Sequence, residues 1–303
     1  MATVEQRLYE RDVGPIGPAV ERTLATVDIK GSTSPGDAVA VAVGSRGISE
    51  LPSIVEGVIG HLRRYNLKPF IVPAMGSHGG GTAEGESKVL ARLGITESTV
   101  GAPIKAGSDV VQIGTLDPGP PVVVARHAAS ADHIVVVNRV KPHTKFRAPI
   151  ESGLTKMLTV GLGKARGATL YHQAAVNHGF TILQDAAALI LKNFSVLFGL
   201  AVLEDGRRHV AKITSVTPEG WFETEQALLK EALAMFPVIP FDGLDILIVD
   251  EIGKHISGIG MDSNVTGRHR DIIGDFFVAP HVKRIFVRDL SPHSDGNATG
   301  IGL

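Results

Sequence analysis

One histidine, His78, stands in the glycine-rich segment MGSHGGGT, between an apolar run and a segment typical of a helix. An imidazole exchanges protons near neutral pH, and the surrounding glycines would let a ligand approach closely. Alternatively, the backbone amides of such a loop could hold a phosphate, with His78 incidental. The segment matches neither the P-loop nor the dinucleotide-binding pattern. We favour proton transfer by His78, because residues that follow a buried strand frequently contact ligands.

A second segment, from Asn138 to His172, is rich in basic residues and glycines. Lysine and arginine without interleaved aromatic residues are typical of a phosphate-binding loop and rarely build a stacking surface for nucleic acid. Long irregular segments tend to be functional in compact domains. The side chains that carry chemistry in this segment are Lys141, His143, Lys145, Lys156, Lys164 and His172.

The composition excludes several classes of protein and site. The chain has 303 residues, a formal net charge of −1 and no cysteine. This near-neutral balance gives no electrostatic reason to expect nucleic acid or an anionic membrane as a partner. The absence of cysteine excludes disulfides, thiolate nucleophiles and Cys-ligated metals. The polar N-terminus and the lack of a long apolar run predict a cytoplasmic protein with no signal peptide and no membrane span.

Alternating apolar runs and helical patterns predict the fold. Buried strands are expected at the continuous runs AVAVAVG, PFIVPA, PVVVA and HIVVVN, because strands covered on both faces are apolar throughout. Helical spacing is present over about residues 50–65, and again over Thr181–Phe194 and Thr224–Met235. The runs VLFGLAVL and HVAKITSV, separated by EDGRR, predict a hairpin. The pattern predicts an α/β fold of two domains, with largely parallel sheets and flanking helices.

The Pro-rich segment FPVIPFDG predicts a boundary between two domains, residues 1–238 and residues 239–303. The first would be the catalytic and cofactor-binding domain. The second contains the apolar runs LDILIVDEIG and VKRIFVRDL. An α/β domain of only about 60 residues is small, so we expect the second domain to be incomplete at its C-terminus.

Chemistry-bearing residues follow four of the predicted strands. Arg46 follows the first in VGSRG, His78 follows the second, and the segments NRVKPHTKFR and DEIGKH follow two others. Ligands of open parallel sheets bind beyond the carboxyl ends of the strands. We therefore expect these residues to meet in one site.

Taken together, these motifs resemble those of the nickel-dependent lactate racemase family, which comprises 2-hydroxyacid racemases and epimerases. The resemblance covers most of the chain, in the same order and at compatible spacing. GSH at His78 and KPH at His143 are similar to the family's two catalytic histidines. SGLTK at Lys156 resembles the segment whose lysine is joined covalently to the cofactor, and LYH at His172 resembles the segment with the nickel ligand.

The resemblance also implies residues that bind the substrate and the cofactor. Substrate binding would involve Arg46 and, from the second domain, Glu251 and Lys254, with the active site in the cleft between the domains. The resemblance, together with the glycine-rich and basic surroundings, assigns cofactor binding to Gly79, Gly80 and Lys164 as well as to Lys156 and His172.

The implied cofactor is a nickel-pincer nucleotide, the pyridinium-3,5-bisthiocarboxylic acid mononucleotide that holds nickel through sulfur and carbon. It would supply the soft ligands that a chain without cysteine lacks, so the protein need add only one imidazole. The implied reaction inverts carbon 2 of a 2-hydroxyacid by hydride transfer to the cofactor, while a histidine takes the hydroxyl proton. The implied partners are a small 2-hydroxyacid and the proteins that synthesise the cofactor.

Two alternatives stay open at this point. A relative of the same fold could bind a nucleotide or a phosphate without nickel chemistry. A sugar-phosphate isomerase could use the same basic loops, but it would need a carboxylate base near His78, and the nearby candidates are Glu84 and Glu86. Acidic residues are common in the first turn of a helix because of its dipole, so their presence alone does not favour this function.

Overall fold

The computed structural model describes residues 3–45, 47–267, 280–294 and 296–301. The strands are β1 (Ala38–Val43), β2 (Lys68–Pro73), β3 (Val110–Thr115), β4 (Pro121–Ala125), β5 (His133–Arg139), β6 (Val196–Glu204), β7 (Val210–Val216), β8 (Gly243–Ile252) and β9 (His281–Leu290). The helices are α1 (Ile16–Leu24), α2 (Leu51–Arg64), α3 (Ala83–Arg92), α4 (Glu97–Val100), α5 (Arg126–Ala129), α6 (Leu154–Lys156), α7 (Lys164–His178), α8 (Ile182–Asn193), α9 (Trp221–Met235) and α10 (Ser263–Thr266).

The main sheet has five strands in the order β2-β1-β5-β6-β7. The first four are parallel, and β7 pairs antiparallel with β6 at one edge. Helix α2 connects β1 to β2, and the run from α6 to α8 connects β5 to β6. Parallel neighbours require such crossover connections. The predicted α/β class, with mainly parallel strands and flanking helices, is confirmed.

The run PVVVA lies outside the main sheet. It forms β4, which pairs antiparallel with β3 in a separate two-stranded sheet. Its continuously apolar sequence had predicted a place among the parallel strands. Strand β4 is buried although it is in a hairpin. Its Val122 and Val124 belong to a core cluster that also contains residues of the main sheet. An apolar run therefore indicated burial correctly but not the pairing partner.

The main sheet separates two layers of core, because alternate residues of a strand point to opposite faces. In β1, Ala40 and Ala42 belong to one cluster, which also contains residues of α7, α8 and α9. Val39, Val41 and Val43 belong to the other cluster, with residues of α1 and α2. This three-layer packing fixes the carboxyl ends of β1, β2 and β5 beside one another.

The C-terminal part contains β8 and β9, which pair in parallel as a further two-stranded sheet. Helix α9 ends at Met235 and β8 begins at Gly243, so the predicted Pro-rich boundary falls between these elements. The extents of the two domains stay a prediction. None of the helices in the described ranges combines the length and the apolarity that crossing a bilayer requires.

Candidate active site

A cavity of about 280 Å³ lies at the carboxyl ends of β1, β2 and β5. Its wall contains Ser45 after β1, Ala74 after β2, and Asn138 in β5. Four predicted site residues line this same cavity, namely His78, His143, Lys156 and His172. The structure thus brings together side chains that are up to about ninety positions apart. The strand-end pattern predicted this for His78 and His143, and the family resemblance predicted it for Lys156 and His172.

His78 is placed by the tight turn that follows β2. Its backbone N–H donates to the carbonyl of Met75 at 3.1 Å, and its Nδ1 is hydrogen-bonded to the hydroxyl of Ser45. This contact fixes the orientation of the ring. Sequence reasoning missed Ser45, although its position just beyond the end of β1 was a usable signal. It also missed Gly76, which lines the cavity beside His78.

The predicted cofactor glycines have a clear backbone role. Gly79 and Gly80 have φ values of 65° and 69°, a left-handed conformation that favours glycine. A Cβ on Gly79 would lie 2.6 Å from the carbonyl carbon of Gly85 in α3. Gly79 is therefore needed so that the loop can pack against the helix. Ligand contact by Gly79 and Gly80 stays a prediction.

Lys164 lies in a different environment from the other predicted cofactor residues. Its ammonium is buried and donates to the carbonyl of Pro73 at 2.6 Å and to both carboxylate oxygens of Glu86 at 2.8 and 2.9 Å. Burial lowers the pKa of Lys164, and Glu86 opposes this effect. Because these contacts use the donors of the ammonium, Lys164 has a structural role in this fold. Its predicted role in cofactor binding stays a prediction.

His143 is held by a loop whose base is closed by Lys141 and Ser152, which exchange backbone hydrogen bonds of 2.8 and 3.3 Å. The buried carboxylate of Glu151 accepts the backbone N–H of His143 at 2.5 Å. The imidazole packs on the ring of Phe146, with centroids 4.2 Å apart, and Phe146 in turn stacks on Phe180. Closure of this loop also brings Lys156, just beyond Ser152, back to His143.

The electrostatic surroundings of His143 favour its neutral form. Burial is the main cause that lowers its pKa well below the usual value, and any positive charge on nearby Lys156, Lys141, His172 or Lys145 acts in the same direction. The Nε2 atom of His143 lies 2.7 Å from Nζ of Lys156. A neutral imidazole can accept a proton from a ligand, which a charged imidazole cannot.

Lys156 is positioned by a buried carboxylate on its opposite side. The carboxylate of Glu225, from α9, accepts the N–H and the hydroxyl of Thr155 at 3.0 and 2.5 Å. A Cβ on Gly153 would collide with Oε1 of Glu225, while Asn138 donates its amide N–H to the Gly153 carbonyl at 2.8 Å. Burial raises the pKa of Glu225 to about 7. The sequence carries no signal for Glu225, because only tertiary packing places it beneath this turn.

His172 reaches the cavity from α7, after an irregular stretch of helix. Residues Met157–Gly161 form a π-helical segment between Lys156 and α7, an irregularity that is frequent at functional sites. Partial desolvation is the main cause that lowers the pKa of His172, and positive charge on Lys156 or Lys145 acts in the same direction. Its imidazole is therefore available in the neutral form that ligates metals.

A second cavity, of about 420 Å³, adjoins the first and shares Lys141, His143 and Lys156 with it. It adds Lys254 and His255 from the C-terminal part, so the two cavities contain residues from both sides of the predicted domain boundary. Arg139, which sequence reasoning did not single out, lines both cavities and pairs with Glu204. Glu251 lines a third cavity, of about 430 Å³. Arg46 lies outside the described residues.

Metal binding by side chains alone is not indicated in the part of the chain that the structure describes. There, no group of three or more histidine, aspartate or glutamate residues is arranged to hold a metal ion. Four cavity residues nevertheless suit a bound group that brings its own soft ligands. These are a lysine amine and three imidazoles, of His78, His143 and His172.

Comparisons with known proteins found a similar solved structure and a matching family. The solved structure of the lactate racemase apoprotein from Thermoanaerobacterium thermosaccharolyticum is similar, with a TM-score of 0.51 and 16% identity over 80% of this chain. The chain spans 60% of the length of that protein. No curated protein matches the sequence significantly. Residues 16–181, more than half of the chain, match the family described as the lactate racemase N-terminal domain. The chain therefore belongs to the lactate racemase N-terminal domain family.

Proposed function

We propose that this chain acts in a racemase or epimerase that inverts carbon 2 of a 2-hydroxyacid with the help of a tethered nickel-pincer nucleotide. One observation carries the proposal. His78, His143, Lys156 and His172 converge on a single cavity in a chain of the lactate racemase N-terminal domain family. Their order and residue types are those that the resemblance requires.

The residues present fit such a nucleotide. Lys156 would carry the covalent link through its amine, and the neutral imidazole of His172 would add one ligand to nickel. When bound, the nucleotide supplies an acceptor and donor for the hydride of carbon 2. The chain without cysteine supplies no thiolate, which suits a cofactor that carries its own sulfur. The proteins that make the nucleotide would be its partners in the cytoplasm.

The chain's own residues would bind the acid and move its hydroxyl proton. Carboxylate binding would fall to Arg46 and to Lys254, which lines the adjoining cavity with His143, because cations form charge-assisted hydrogen bonds with carboxylates. His78 and His143 would take the proton on one side and return it on the other. The Ser45 contact to His78 and the loop contacts to His143 keep both rings oriented.

The alternative of a sugar-phosphate isomerase requires a carboxylate base near His78, and the two candidate carboxylates do not suit this role. Glu86 is buried and pairs with Lys164, whereas Glu84 is exposed and pairs with Lys88 at 2.6 Å. Neither is therefore positioned as an unpaired base beside His78. The remaining alternative is a relative that binds nucleotide without nickel, and the following experiment distinguishes it from the proposed enzyme.

The test is intact-mass and nickel analysis of protein produced together with the cofactor-synthesis proteins. We expect a covalent adduct on Lys156 and stoichiometric nickel in the parent, and no adduct in Lys156→Arg, because a guanidinium does not replace a primary amine as nucleophile. His172→Ala should keep the adduct and lose nickel. A parent that binds nucleotide but forms no adduct would favour the alternative without nickel.

The proton-transfer step is tested separately with His78→Ala. This variant should keep the adduct and lose racemisation of 2-hydroxyacids, measured by chiral chromatography of the product. The loss expected for one general acid–base group is about a hundredfold or more. Parent-like racemisation in His78→Ala would remove His78 from the mechanism.

A further inference from the structure

The pair formed by His143 and Lys156 raises the question of which nitrogen carries the shared proton. Nε2 of the imidazole and Nζ of the lysine are 2.7 Å apart. A charged lysine has only donors, whereas a neutral imidazole has one donor and one acceptor. The direction of this hydrogen bond therefore depends on which ring nitrogen of His143 is protonated.

The other ring nitrogen answers the question. The backbone N–H of Lys145 donates to Nδ1 of His143 at 3.0 Å. A backbone amide nitrogen cannot accept a hydrogen bond, so Nδ1 holds a lone pair and no proton. The proton of the neutral imidazole must then be on Nε2, which faces Lys156.

We infer that His143 donates its Nε2–H to Lys156 and that Nζ of Lys156 accepts it as an unprotonated amine. Lys156 is then a nucleophile at neutral pH. This hydrogen bond belongs to the protein before the tether forms, whereas the proposed proton transfer by His143 belongs to the tethered protein. The amine is suited to attack an activated carbonyl or thiocarbonyl carbon. Its use for a cofactor tether rests on the proposed function, whereas the state of the amine rests on the hydrogen bonds alone.

The charges that face the pair support the unprotonated state. Lys141 and Lys145 lie in the His143 loop, and His172 faces it from α7. Among the described residues, the other titratable groups on the walls of the two cavities are His78, Arg139 with its partner Glu204, Arg208, Lys254 and His255. Most of these groups are basic. Each added positive charge makes a further proton on Nζ less favourable.

The test is competitive acetylation of the protein purified without the cofactor-synthesis proteins. Trace N-acetoxysuccinimide transfers its acetyl group to a neutral amine. The N–C bond forms, the bond to the succinimidyl oxygen breaks, and the amine proton goes to solvent. Peptide mass spectrometry gives the rate at Lys156 relative to Lys88, an exposed lysine in the same chain. At about pH 7 we expect Lys156 to react about tenfold faster or more.

Two substitutions of His143 separate the hydrogen bond from simple packing. His143→Gln keeps an amide N–H near the place of Nε2, so the fast reaction of Lys156 should persist. His143→Phe keeps the ring on Phe146 but has no donor, so the rate should fall about tenfold. Thermal melting shows whether both variants fold. If His143→Phe does not fold, the pH dependence of Lys156 acetylation in the parent and in His143→Gln still decides whether the amine is unprotonated.

Lys145→Gln is the matched control, because it keeps the backbone N–H that contacts Nδ1 and removes one nearby charge. A change within about threefold is expected there. Acetylation of parental Lys156 at the rate and pH profile of Lys88 would overturn the inference. An equal fall in His143→Phe and Lys145→Gln would also overturn it. Absence of the nickel-nucleotide adduct would instead count against the proposed function and leave the state of the amine unaffected.

Discussion

Lys156 and Lys164 lie on the same stretch of chain, and both are predicted to bind the cofactor, but the structure gives them opposite surroundings. Lys164 is buried and its side chain is only 2% exposed, with the carboxylate of Glu86 as its partner. Lys156 is half-buried on a cavity wall, and its amine meets the imidazole of His143. The first lysine is held as an ion pair within the protein. The second faces space that a ligand can enter.

This difference shows that the partner decides what a lysine does. A carboxylate stabilises the charged form, so Lys164 is well suited to connect the start of α7 to the end of β2 and to α3. An imidazole that donates a hydrogen bond stabilises the neutral form of Lys156, which is the reactive one. Residue type and sequence spacing are the same for both roles. The distinction depends on where Glu86 and His143 lie in three dimensions.

Replacing Lys164 by methionine should have the largest effect on stability. Removal of the cation leaves Glu86 buried without its partner, and breaking a buried pair in this way costs about 3 to 5 kcal/mol. The free energy of unfolding from urea titration measures the loss. In Lys164→Met with Glu86→Leu, both charges are removed, and most of the loss should be recovered. If the double variant is as unstable as the single one, packing and not charge explains the role of Lys164.

The buried carboxylate beneath Lys156 should give stability a distinct pH dependence. The pKa of Glu225 is raised to about 7, whereas an unfolded glutamate titrates at about 4.3. Between these pH values the folded state binds more protons than the unfolded state. The contribution of Glu225 to the free energy of unfolding is therefore full at low pH and is lost as the pH rises through about 7. Over this pH range, the free energy of unfolding of the parent should fall by up to about 3 kcal/mol more than that of Glu225→Gln.

Urea unfolding at about pH 5 and about pH 8 gives this difference. The matched control is Glu231→Gln on the same helix, because Glu231 is only partly buried and pairs with Lys212. It should show the same pH dependence as the parent. If Glu225→Gln also follows the parent, Glu225 titrates normally and the turn that bears Lys156 is not held by a buried carboxylate of raised pKa.

Lys156→Met sharpens the comparison in the opposite direction from Lys164→Met. Lys156 is half-buried on a cavity wall, so the change in the free energy of unfolding should be less than about 1 kcal/mol. The same variant should form no adduct when it is produced with the cofactor-synthesis proteins. A loss of stability as large as that of Lys164→Met would mean that Lys156, too, is mainly structural.

The smallest effect is expected for Lys88→Gln, which calibrates the comparison. Lys88 forms an ion pair with Glu84 at 2.6 Å, as Lys164 does with Glu86, but both side chains are exposed. Water screens such a pair, so the expected change is below about 0.5 kcal/mol. Differential scanning calorimetry is sufficiently sensitive. A larger loss would mean that the ion pair itself, and not its burial, explains the stability attributed to Lys164.

The sequence predicts the elements of the main sheet well, because their signals are local. Strand β5 was expected at His133–Asn138 and spans His133–Arg139, and the helix expected over about residues 50–65 spans Leu51–Arg64. The family resemblance assigned Lys156 and His172 to the same site as His78 and His143, and the proximity of the two histidines was predictable from the strands as well. Parallel strands place their carboxyl ends at one edge of a sheet.

Features that depend on tertiary partners were not predictable. Nothing near Lys164 indicates that Glu86 reaches it from another helix, and nothing near Glu225 indicates that it lies under Thr155. The hairpin of β3 and β4 was missed because burial on both faces imitates a parallel strand. Most site residues that follow strands were found, with Ser45 as an exception, whereas residues that support the site from other elements were not.

The contact between Gly153 and Glu225 has a consequence for how related sequences diverge. A side chain at position 153 would occupy the space of the Glu225 carboxylate, and a shorter residue at position 225 would leave a gap under the turn that bears Lys156. Either change alone is unfavourable, whereas the two together can compensate. Relatives are therefore expected to inherit glycine and glutamate as a pair or to exchange both, so co-variation of these positions would mark chains that keep this turn.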